Sequence, residues 1–258
     1  QVIQGDTLRV KAGGGTHSGR SMRMGAMVIS QAVDEIVDKG KKIASVVLEA
    51  ADTDISYENG HFRVAGTDRT VSLFEVAAAA RDRDDLPEDL KGRLGADAEI
   101  EFRRAVFGNG TQVVEVEIDP ETGVTRLDRY TAVADVGNAI NPLLIHGQTH
   151  GGIAQGAGQA LMEACSYDPE SGQMRAATFM DYAIPRATDF PFFNTEITEI
   201  PSPTNRLGIK PGSEGGTAPA PAVIANAVVD ALSELGVNHV ELPLTSQRVW
   251  QAIQQAQG

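Results

Sequence analysis

Glycine is concentrated in two stretches of this 258-residue sequence, and these stretches constrain its fold more than any other feature. The first stretch, at 13–19, reads GGGTHSG, and its three consecutive glycines predict a loop. The second, at 147–161, reads GQTHGGIAQGAGQAL, and predicts a helix with one face nearly bare of side chains. A bare face permits close packing of another backbone or close approach of a ligand, and the residues leave both interpretations open.

Helical and extended patterns are mixed along the rest of the chain. Apolar residues three and four positions apart predict helices at 21–38, 72–81, 142–163, 219–235 and 245–255. Alternating residues predict a hairpin at 54–64, strands at 111–118, 124–136 and near 193–197, and a strand–turn–strand at 166–173. Ser21 is a predicted N-cap, and Ser72 with Glu75 forms a predicted capping box. This mixture predicts the α+β fold class.

Charge and cysteine content exclude several classes of function. The chain has 22 basic and 35 acidic residues, and its net charge of −13 argues against binding to nucleic acid or anionic membranes. The single cysteine, Cys165, excludes a disulfide framework and an iron–sulfur cluster held by this chain alone. We expect Cys165 to be a small buried residue rather than a nucleophile.

Hydropathy and the first residues predict where the protein resides. No apolar run approaches the roughly 20 residues of a membrane span, and the start QVIQGDTLRVK lacks a signal-peptide pattern. We therefore expect a cytoplasmic protein. Because the first residue is Gln1 and not Met, we also expect a processed chain or a piece of a longer one.

The glycine loop and the residues after it, GGGTHSGRSMR at 13–23, offer groups that bind anions. Backbone N–H groups, the hydroxyls of Thr16, Ser18 and Ser21, the Arg20 guanidinium and a helix N-terminus could all hold phosphate oxygens. The stretch matches neither the Walker A loop nor the GxGxxG fingerprint. From these residues alone, anion binding and a tight structural turn are both open.

Two histidines and one glutamate are further candidates. His146 and His150 are four apart, but Gly147 stands where HExxH has glutamate, so ordinary packed polar histidines are favoured over a metal site. Glu214 lies directly before a predicted helix, where a carboxylate is usually just a favourable charge. It could also be a general base, and for that role we expect burial to raise its pKa.

Four segments in this order resemble the C-terminal part of the molybdenum-binding large subunit of the xanthine dehydrogenase and aldehyde oxidase family. They read GGGTHSGRSMR, VADVGNAINPLLIHGQTHGGIAQGAGQALMEA, FMDYAIPRATDFP and EIPSPTNRLGIKPGSEGGTAPAPAVIANAVVDAL. The resemblance is nearest to the branch with the large subunits of aerobic-type carbon monoxide dehydrogenase, and covers almost the whole chain except for the less informative 52–105.

The resemblance implies that residues 1–258 are the C-terminal portion of a molybdopterin cofactor-binding domain. The cofactor would carry molybdenum, with the cytosine dinucleotide form as the bacterial expectation, and no residue of this chain is implied as a metal ligand. Glu214 falls at the family's catalytic glutamate. The implied cofactor contacts are Thr16, Ser18, Gly19, Arg20 and Ser21 in the loop, Asn141 and Gln148 in a second segment, and Gly151, Gly152, Gln155 and Gly156 on the glycine-rich helix.

The same resemblance implies partners and a reaction. The complete enzyme would oxidise an aldehyde, N-heterocycle or similar small molecule with water as the oxygen source. Its electrons would leave through iron–sulfur clusters and FAD on partner subunits, and the N-terminal half of the molybdenum subunit would complete the pocket. We expect the isolated chain to be inactive, and Glu214 to point into a half-enclosed cavity beside the loop at 13–21 and the turn at 141–152.

Some positions depart from the family pattern. Near the glutamate the usual pattern is GxKGxGE, and here Pro211 and Ser213 stand in place of two glycines; Gly19 stands where many relatives have serine. Two alternatives also stay open: a non-catalytic scaffold or interaction module that retains the fold, and a free nucleotide-binding protein that uses the loop at 13–19.

Overall fold

The chain folds into two units, each with its own three-stranded sheet. The computed structural model describes residues 3–10, 12–101 and 105–258, so Gln1 lies outside the described residues. The first unit comprises residues 1–23 and 104–258, and the second comprises 24–103. Within the described ranges, no helix has both the length and the apolar character that crossing a membrane requires.

The second unit packs an antiparallel sheet against two helices. Its elements are the part of α1 (Arg20–Val47) from Met24 onward, β1 (Ile55–Glu58), β2 (His61–Val64), β3 (Thr70–Ser72) and α2 (Leu73–Asp82), with strand order β1-β2-β3. Phe62 and Ile43 are fully buried in its core. A Cβ on Gly40 would lie 2.4 Å from Phe62 Cζ, so only glycine lets α1 approach that ring.

The first unit contains most of the sequence motifs. Its elements are β4 (Asn109–Ile118), β5 (Thr125–Asp135), α3 (Pro142–Leu161), β6 (Asn194–Thr198), α4 (Ala220–Leu232) and α5 (Ser246–Gln257). β5 pairs antiparallel with β4 and parallel with β6. α4 packs on β4, and α3 packs on α4. The fully buried Tyr130, Ile153 and Ile224 lie in the core of this unit.

Most of the predicted elements are confirmed. The hairpin turns through Asn59 and Gly60, whose φ angles are 49° and 80°. α2 begins with the predicted capping box, in which the Ser72 side chain accepts from the Glu75 N–H and the Glu75 carboxylate accepts from the Ser72 N–H. Gly236 ends the α4 region with φ 86°, as expected of a left-handed terminating residue.

Four local predictions are wrong. α1 continues to Val47, beyond the predicted end at 38, because Ile43 and Ala44 extend its buried side. Ser21 lies inside α1 and is not its N-cap. The predicted strand–turn–strand at 166–173 is only a single bridge between Tyr167 and Met174 around a turn. Cys165 is exposed rather than buried, because it follows the end of α3 in an irregular segment.

Candidate functional site

Three segments that are far apart in sequence meet around Glu214 in the first unit. The Ser18 side chain is hydrogen-bonded to the Glu214 carboxylate. A Cβ on Gly19 would lie 2.7 Å from Pro211 Cα, so the glycine loop touches the segment before Glu214. From α3, Gln148 Nε2 donates to the Ser213 carbonyl oxygen at 3.1 Å. The fold thus brings the loop, the glycine-rich helix and the predicted catalytic glutamate together.

The Glu214 carboxylate is exposed and is held in its ionised form. Ser213 Oγ donates to Glu214 Oε2 at 2.8 Å. This hydrogen bond, then that from Ser18, lowers the pKa of Glu214 below its ordinary value, and the slight burial that opposes ionisation is outweighed. The expectation that burial would raise this pKa is wrong for this chain, because two hydroxyl donors stabilise the anion. The carboxylate is therefore ionised at neutral pH, and its lowered pKa makes it a weaker proton acceptor than an ordinary glutamate.

The glycine loop is held in place by the side chain of Arg20, which follows it. Arg20 Nη1 donates to the Gly15 carbonyl oxygen at 3.0 Å, and the guanidinium covers Gly14 so closely that a Cβ there would lie 2.1 Å away. The hydroxyls of Thr16 and Ser21 lie 2.9 Å apart at the exposed surface. The loop therefore presents a pair of hydroxyls beside the start of α1, where partial positive charge gathers.

The glycines of α3 belong to two groups. A Cβ on Gly152 would lie 2.9 Å from the Thr217 backbone nitrogen, and one on Gly156 2.7 Å from Ala220 Cβ, so these two allow close packing of the chain that leads into α4. A Cβ on Gly147 or Gly151 would meet nothing within 4 Å. The packing interpretation of the bare helix is thus confirmed for one face, whereas the other face is open and ligand approach there stays a prediction.

The two remaining predicted cofactor contacts, Asn141 and Gln155, lie at the start of α3 and within it. Asn141 is the N-cap of α3, where its Oδ1 accepts from the Leu144 N–H at 3.2 Å. Gln155 is exposed, and its Oε1 lies 3.5 Å from the Thr217 hydroxyl. Asn141 therefore has a structural task in addition to any ligand contact, and Gln155 borders the open face of α3.

His146 and His150 belong to the packing between α3 and β6. His146 Nδ1 lies 2.7 Å and His150 Nε2 3.2 Å from the Thr195 hydroxyl oxygen, so both histidines share one partner. The rings of Phe192 and Phe193 meet the His150 ring edge-on. These contacts agree with the interpretation of both histidines as packed polar residues.

Sequence reasoning missed four residues that hold the segment around Glu214. Gln112 and Tyr130 connect to the backbone just after it, and Asp135 forms a buried ion pair with Lys210 just before it. The available signal was weak: Asp135 is a charged residue at the end of a predicted strand, with nothing nearby in sequence to pair with. Lys210 becomes its partner only through the tertiary fold.

Comparison with known proteins places these features in context. The family described as molybdopterin cofactor-binding domain matches residues 1–191. The chain is 35% identical to the gamma subunit of the 6-hydroxypseudooxynicotine dehydrogenase complex of Paenarthrobacter nicotinovorans, over 98% of this chain and 32% of that protein. It is 33% identical to the carbon monoxide dehydrogenase large chain of Hydrogenophaga pseudoflava, over 99% of this chain and 32% of that protein.

Two solved structures have folds similar to that of this chain. A crystal structure of the Cu,Mo-CO dehydrogenase has a TM-score of 0.85 at 30% identity and covers 94% of this chain, which spans 30% of that chain. Quinoline 2-oxidoreductase from Pseudomonas putida 86 has a TM-score of 0.84 at 37% identity, over 93% of this chain and 31% of that one. The chain thus spans about a third of the length of the relatives it matches.

Proposed function

Because the chain belongs to the family of molybdopterin cofactor-binding domains, we propose that it forms the part of a molybdenum hydroxylase that contacts the cofactor and provides the catalytic base. The observation that carries this proposal is the meeting of Glu214 with Ser18 of the glycine loop and, through Ser213, with Gln148 of α3. Glu214, Ser18 and Gln148 thus lie together in one unit, whereas Gly152 and Gly156 pack against the chain that leads into α4.

The residues present suit a large, flat, phosphate-bearing cofactor. The open face of α3 has room at Gly151, where a Cβ would meet nothing within 4 Å. The Gln148 amide beside it offers hydrogen bonds to a heterocycle edge. The hydroxyls of Thr16 and Ser21, at the start of α1, suit phosphate oxygens. We propose that these residues, with Ser18, Gly19 and Arg20, bind molybdopterin, in the cytosine dinucleotide form.

In the proposed reaction, Glu214 accepts a proton. When bound, the molybdenum cofactor supplies the two-electron oxidation of an aldehyde, N-heterocycle or similar small molecule. Glu214 removes the proton from the water-derived oxygen that attacks the substrate carbon, and it is ionised at neutral pH, the form that can accept a proton. The hydrogen bond from Ser213 to Oε2 limits the directions in which the carboxylate can turn.

The remaining proposals concern the complete assembly. We propose that the N-terminal half of the molybdenum subunit encloses the other side of the site, and that iron–sulfur and FAD subunits carry the electrons away. Two relatives are a gamma subunit of a dehydrogenase complex and a large chain, which agrees with a multi-subunit enzyme. The inactivity of the isolated chain and a cytoplasmic location stay predictions.

Metal analysis of the complete native complex tests the proposed function. We expect about one molybdenum for each copy of this chain, because the residues that we propose as cofactor contacts lie in one unit with Glu214. Inductively coupled plasma mass spectrometry of the purified complex measures this ratio. A native complex that contains no molybdenum would instead support the alternative of a scaffold that retains the fold alone.

Replacing Gly151 with alanine is expected to separate fold stability from cofactor binding. Alanine is favoured over glycine inside a helix by about 1 kcal/mol, so Gly151→Ala should raise the stability of the chain. The added methyl group would occupy the space proposed for the cofactor, at a cost of about 1–3 kcal/mol, and should lower molybdenum occupancy by about tenfold at limiting cofactor. Thermal unfolding and metal content measure the two effects.

Gly25→Ala is the matched control for this experiment. Gly25 lies in α1, and a Cβ there would also meet nothing within 4 Å, so the same helix-propensity gain is expected. Molybdenum content should stay at the wild-type level in this variant. Full molybdenum occupancy in Gly151→Ala would show that the open face of α3 does not receive the cofactor.

A further inference from the structure

We propose that two side-chain clamps position the Glu214 loop, defined as residues 211–216. The first clamp is Gln112 with Tyr130, and the second is Asp135 with Lys210. They hold the loop from its two ends, so that the Glu214 carboxylate is presented in one direction. The consequence for catalysis rests on the proposed function, whereas the consequence for the loop itself does not.

The first clamp holds the backbone just after Glu214. From β4, Gln112 Nε2 donates to the Gly215 carbonyl oxygen at 2.8 Å and lies 3.3 Å from that of Gly216. On the other side of the amide, the Tyr130 hydroxyl donates to Gln112 Oε1 at 2.5 Å. Because the phenol donates to the amide oxygen, the amide nitrogen is directed at the loop.

The rigidity of this clamp comes from β5. The Tyr130 ring is fully buried and meets the Phe193 ring edge-on at a centroid distance of 5.5 Å. Burial also raises the pKa of Tyr130, so the hydroxyl stays protonated and remains a donor over the working pH range. Gln112 itself is only half-buried, so we expect its amide to contribute little to the free energy of folding. Its main effect is then to hold the backbone of the Glu214 loop.

The second clamp holds the backbone just before the loop. Asp135, the last residue of β5, accepts from Lys210 Nζ, and its other oxygen accepts from the N–H groups of Gly137 at 3.0 Å and Ile200 at 3.1 Å. The Lys210 backbone N–H also donates to the Val136 carbonyl oxygen at 2.7 Å. Lys210 is therefore fixed at both its side chain and its backbone.

The electrostatics of this pair make it a firm anchor. The side chains of Asp135 and Lys210 are only 7% and 11% exposed. Burial opposes ionisation of Asp135, but the hydrogen bonds from Lys210, Gly137 and Ile200 outweigh it and lower its pKa. Solvent screens such a pair far less than a surface pair. These hydrogen bonds therefore favour the ionised form of Asp135, which holds Lys210.

The loop needs such anchors because of its composition. Between the clamps it reads PGSEGG, and glycines on both sides of the Ser213–Glu214 pair leave its backbone free to take many conformations. Fixing Lys210 and the carbonyls of Gly215 and Gly216 removes most of that freedom. A base that is held in one direction reaches the reacting proton more often, and small misplacements can cost about 10²-fold in rate.

Paired variants in the complete enzyme test the proposal. Gln112→Met removes the amide but keeps the side-chain length, and Tyr130→Phe removes only the hydroxyl. We expect hydrogen exchange at the Ala218 amide, which donates to the Glu214 carbonyl oxygen at 3.0 Å, to accelerate by about tenfold or more in each. We also expect kcat per molybdenum to fall by about 10- to 100-fold, with little change in melting temperature.

The pH profile provides a readout that a purely structural role would not change. In the wild type, donation from Ser213 and Ser18 keeps the Glu214 pKa low. If the loop is released, these donors are lost for part of the time and the pKa rises toward the ordinary glutamate value. Since the deprotonated base is the active form, the acidic limb of kcat/KM should move to higher pH in Gln112→Met.

The second clamp is tested with Lys210→Met and Lys210→Arg. The methionine variant should accelerate exchange at the Ala218 amide. Arginine keeps a positive charge beside Asp135 and should restore most of the wild-type protection. Because Lys210→Met leaves a buried carboxylate without its cation, it could fail to fold. In that case Lys210→Arg and the two Gln112–Tyr130 variants decide the question.

Matched controls separate positioning from general loosening. Arg129→Met removes an exposed ion pair to Glu115 across the same strands, and Tyr182→Phe removes another tyrosine hydroxyl, which donates to Glu163 at 2.6 Å. Neither should change exchange at the Ala218 amide. Wild-type exchange and kcat in both Gln112→Met and Tyr130→Phe would overturn the proposal. If the wild-type complex holds no molybdenum, the proposed function fails and loop exchange alone decides about the clamps.

Discussion

Glu214→Gln is expected to lower kcat of the complete enzyme by about 10²- to 10⁴-fold, the range that a positioned general base contributes. Glutamine keeps the shape of glutamate and can still accept hydrogen bonds from Ser213 and Ser18, so the loop should keep its conformation. An amide cannot take up the proton. Steady-state rates, normalised to molybdenum content, measure the loss.

Molybdenum content decides how this loss is interpreted. If Glu214 acts as the base, the metal stays bound in Glu214→Gln while the rate falls. Glu234→Gln, at an exposed position after α4, is the control and should retain the wild-type rate. A rate near that of the wild type in Glu214→Gln, at equal metal content, would remove this residue from the chemistry and leave the scaffold alternative in place.

Gly156→Val is expected to destabilise the first unit by about 1–3 kcal/mol, as overpacking of a well-packed core does. A Cβ at this position would already lie 2.7 Å from Ala220 Cβ and 2.8 Å from the Thr217 carbonyl oxygen, and valine adds two further carbons. α3 must therefore move away from the start of α4. For a protein of this size the melting temperature should fall by roughly 5 °C.

The same substitution elsewhere on α3 provides the control. A Cβ on Gly147 would meet nothing within 4 Å, and valine is a somewhat better helix former than glycine. Gly147→Val should therefore leave the melting temperature unchanged or slightly higher. Equal melting temperatures for the two variants would contradict the division of the α3 glycines into a packed and an open group.

Features that depend on neighbouring residues could be predicted from the sequence. The capping box of Ser72 and Glu75 and the Asn59-Gly60 turn involve groups within three residues of each other, and both are confirmed. The α+β class followed from the same local patterns. The end of α1 was placed too early because its buried side beyond residue 38 depends on packing against Phe62, which is a tertiary contact.

Features of the site that depend on distant residues could not be predicted in this way. The residue type and position of Glu214 were recognised, but its pKa is set by Ser18, which the fold brings from near the other end of the chain. Gln112 escaped notice because nothing in a strand sequence shows that an amide reaches the backbone of a loop more than ninety residues later, at Gly215. Patterns report periodicity, whereas these contacts depend on the fold.

The pairing of β5 with both of its neighbours separates the two ends of the first sheet. At one end of the sheet, Asp135 of β5 pairs with Thr198 of β6 and with Asn109, the first residue of β4. The Glu214 loop is held at this end through the ion pair of Asp135 with Lys210. At the other end lies the turn of Asp119 to Val124, where Glu121 and Thr122 are exposed. Substitutions in that turn are therefore expected to leave the proposed site unchanged, whereas an insertion or deletion next to Asp135 would displace the Glu214 loop.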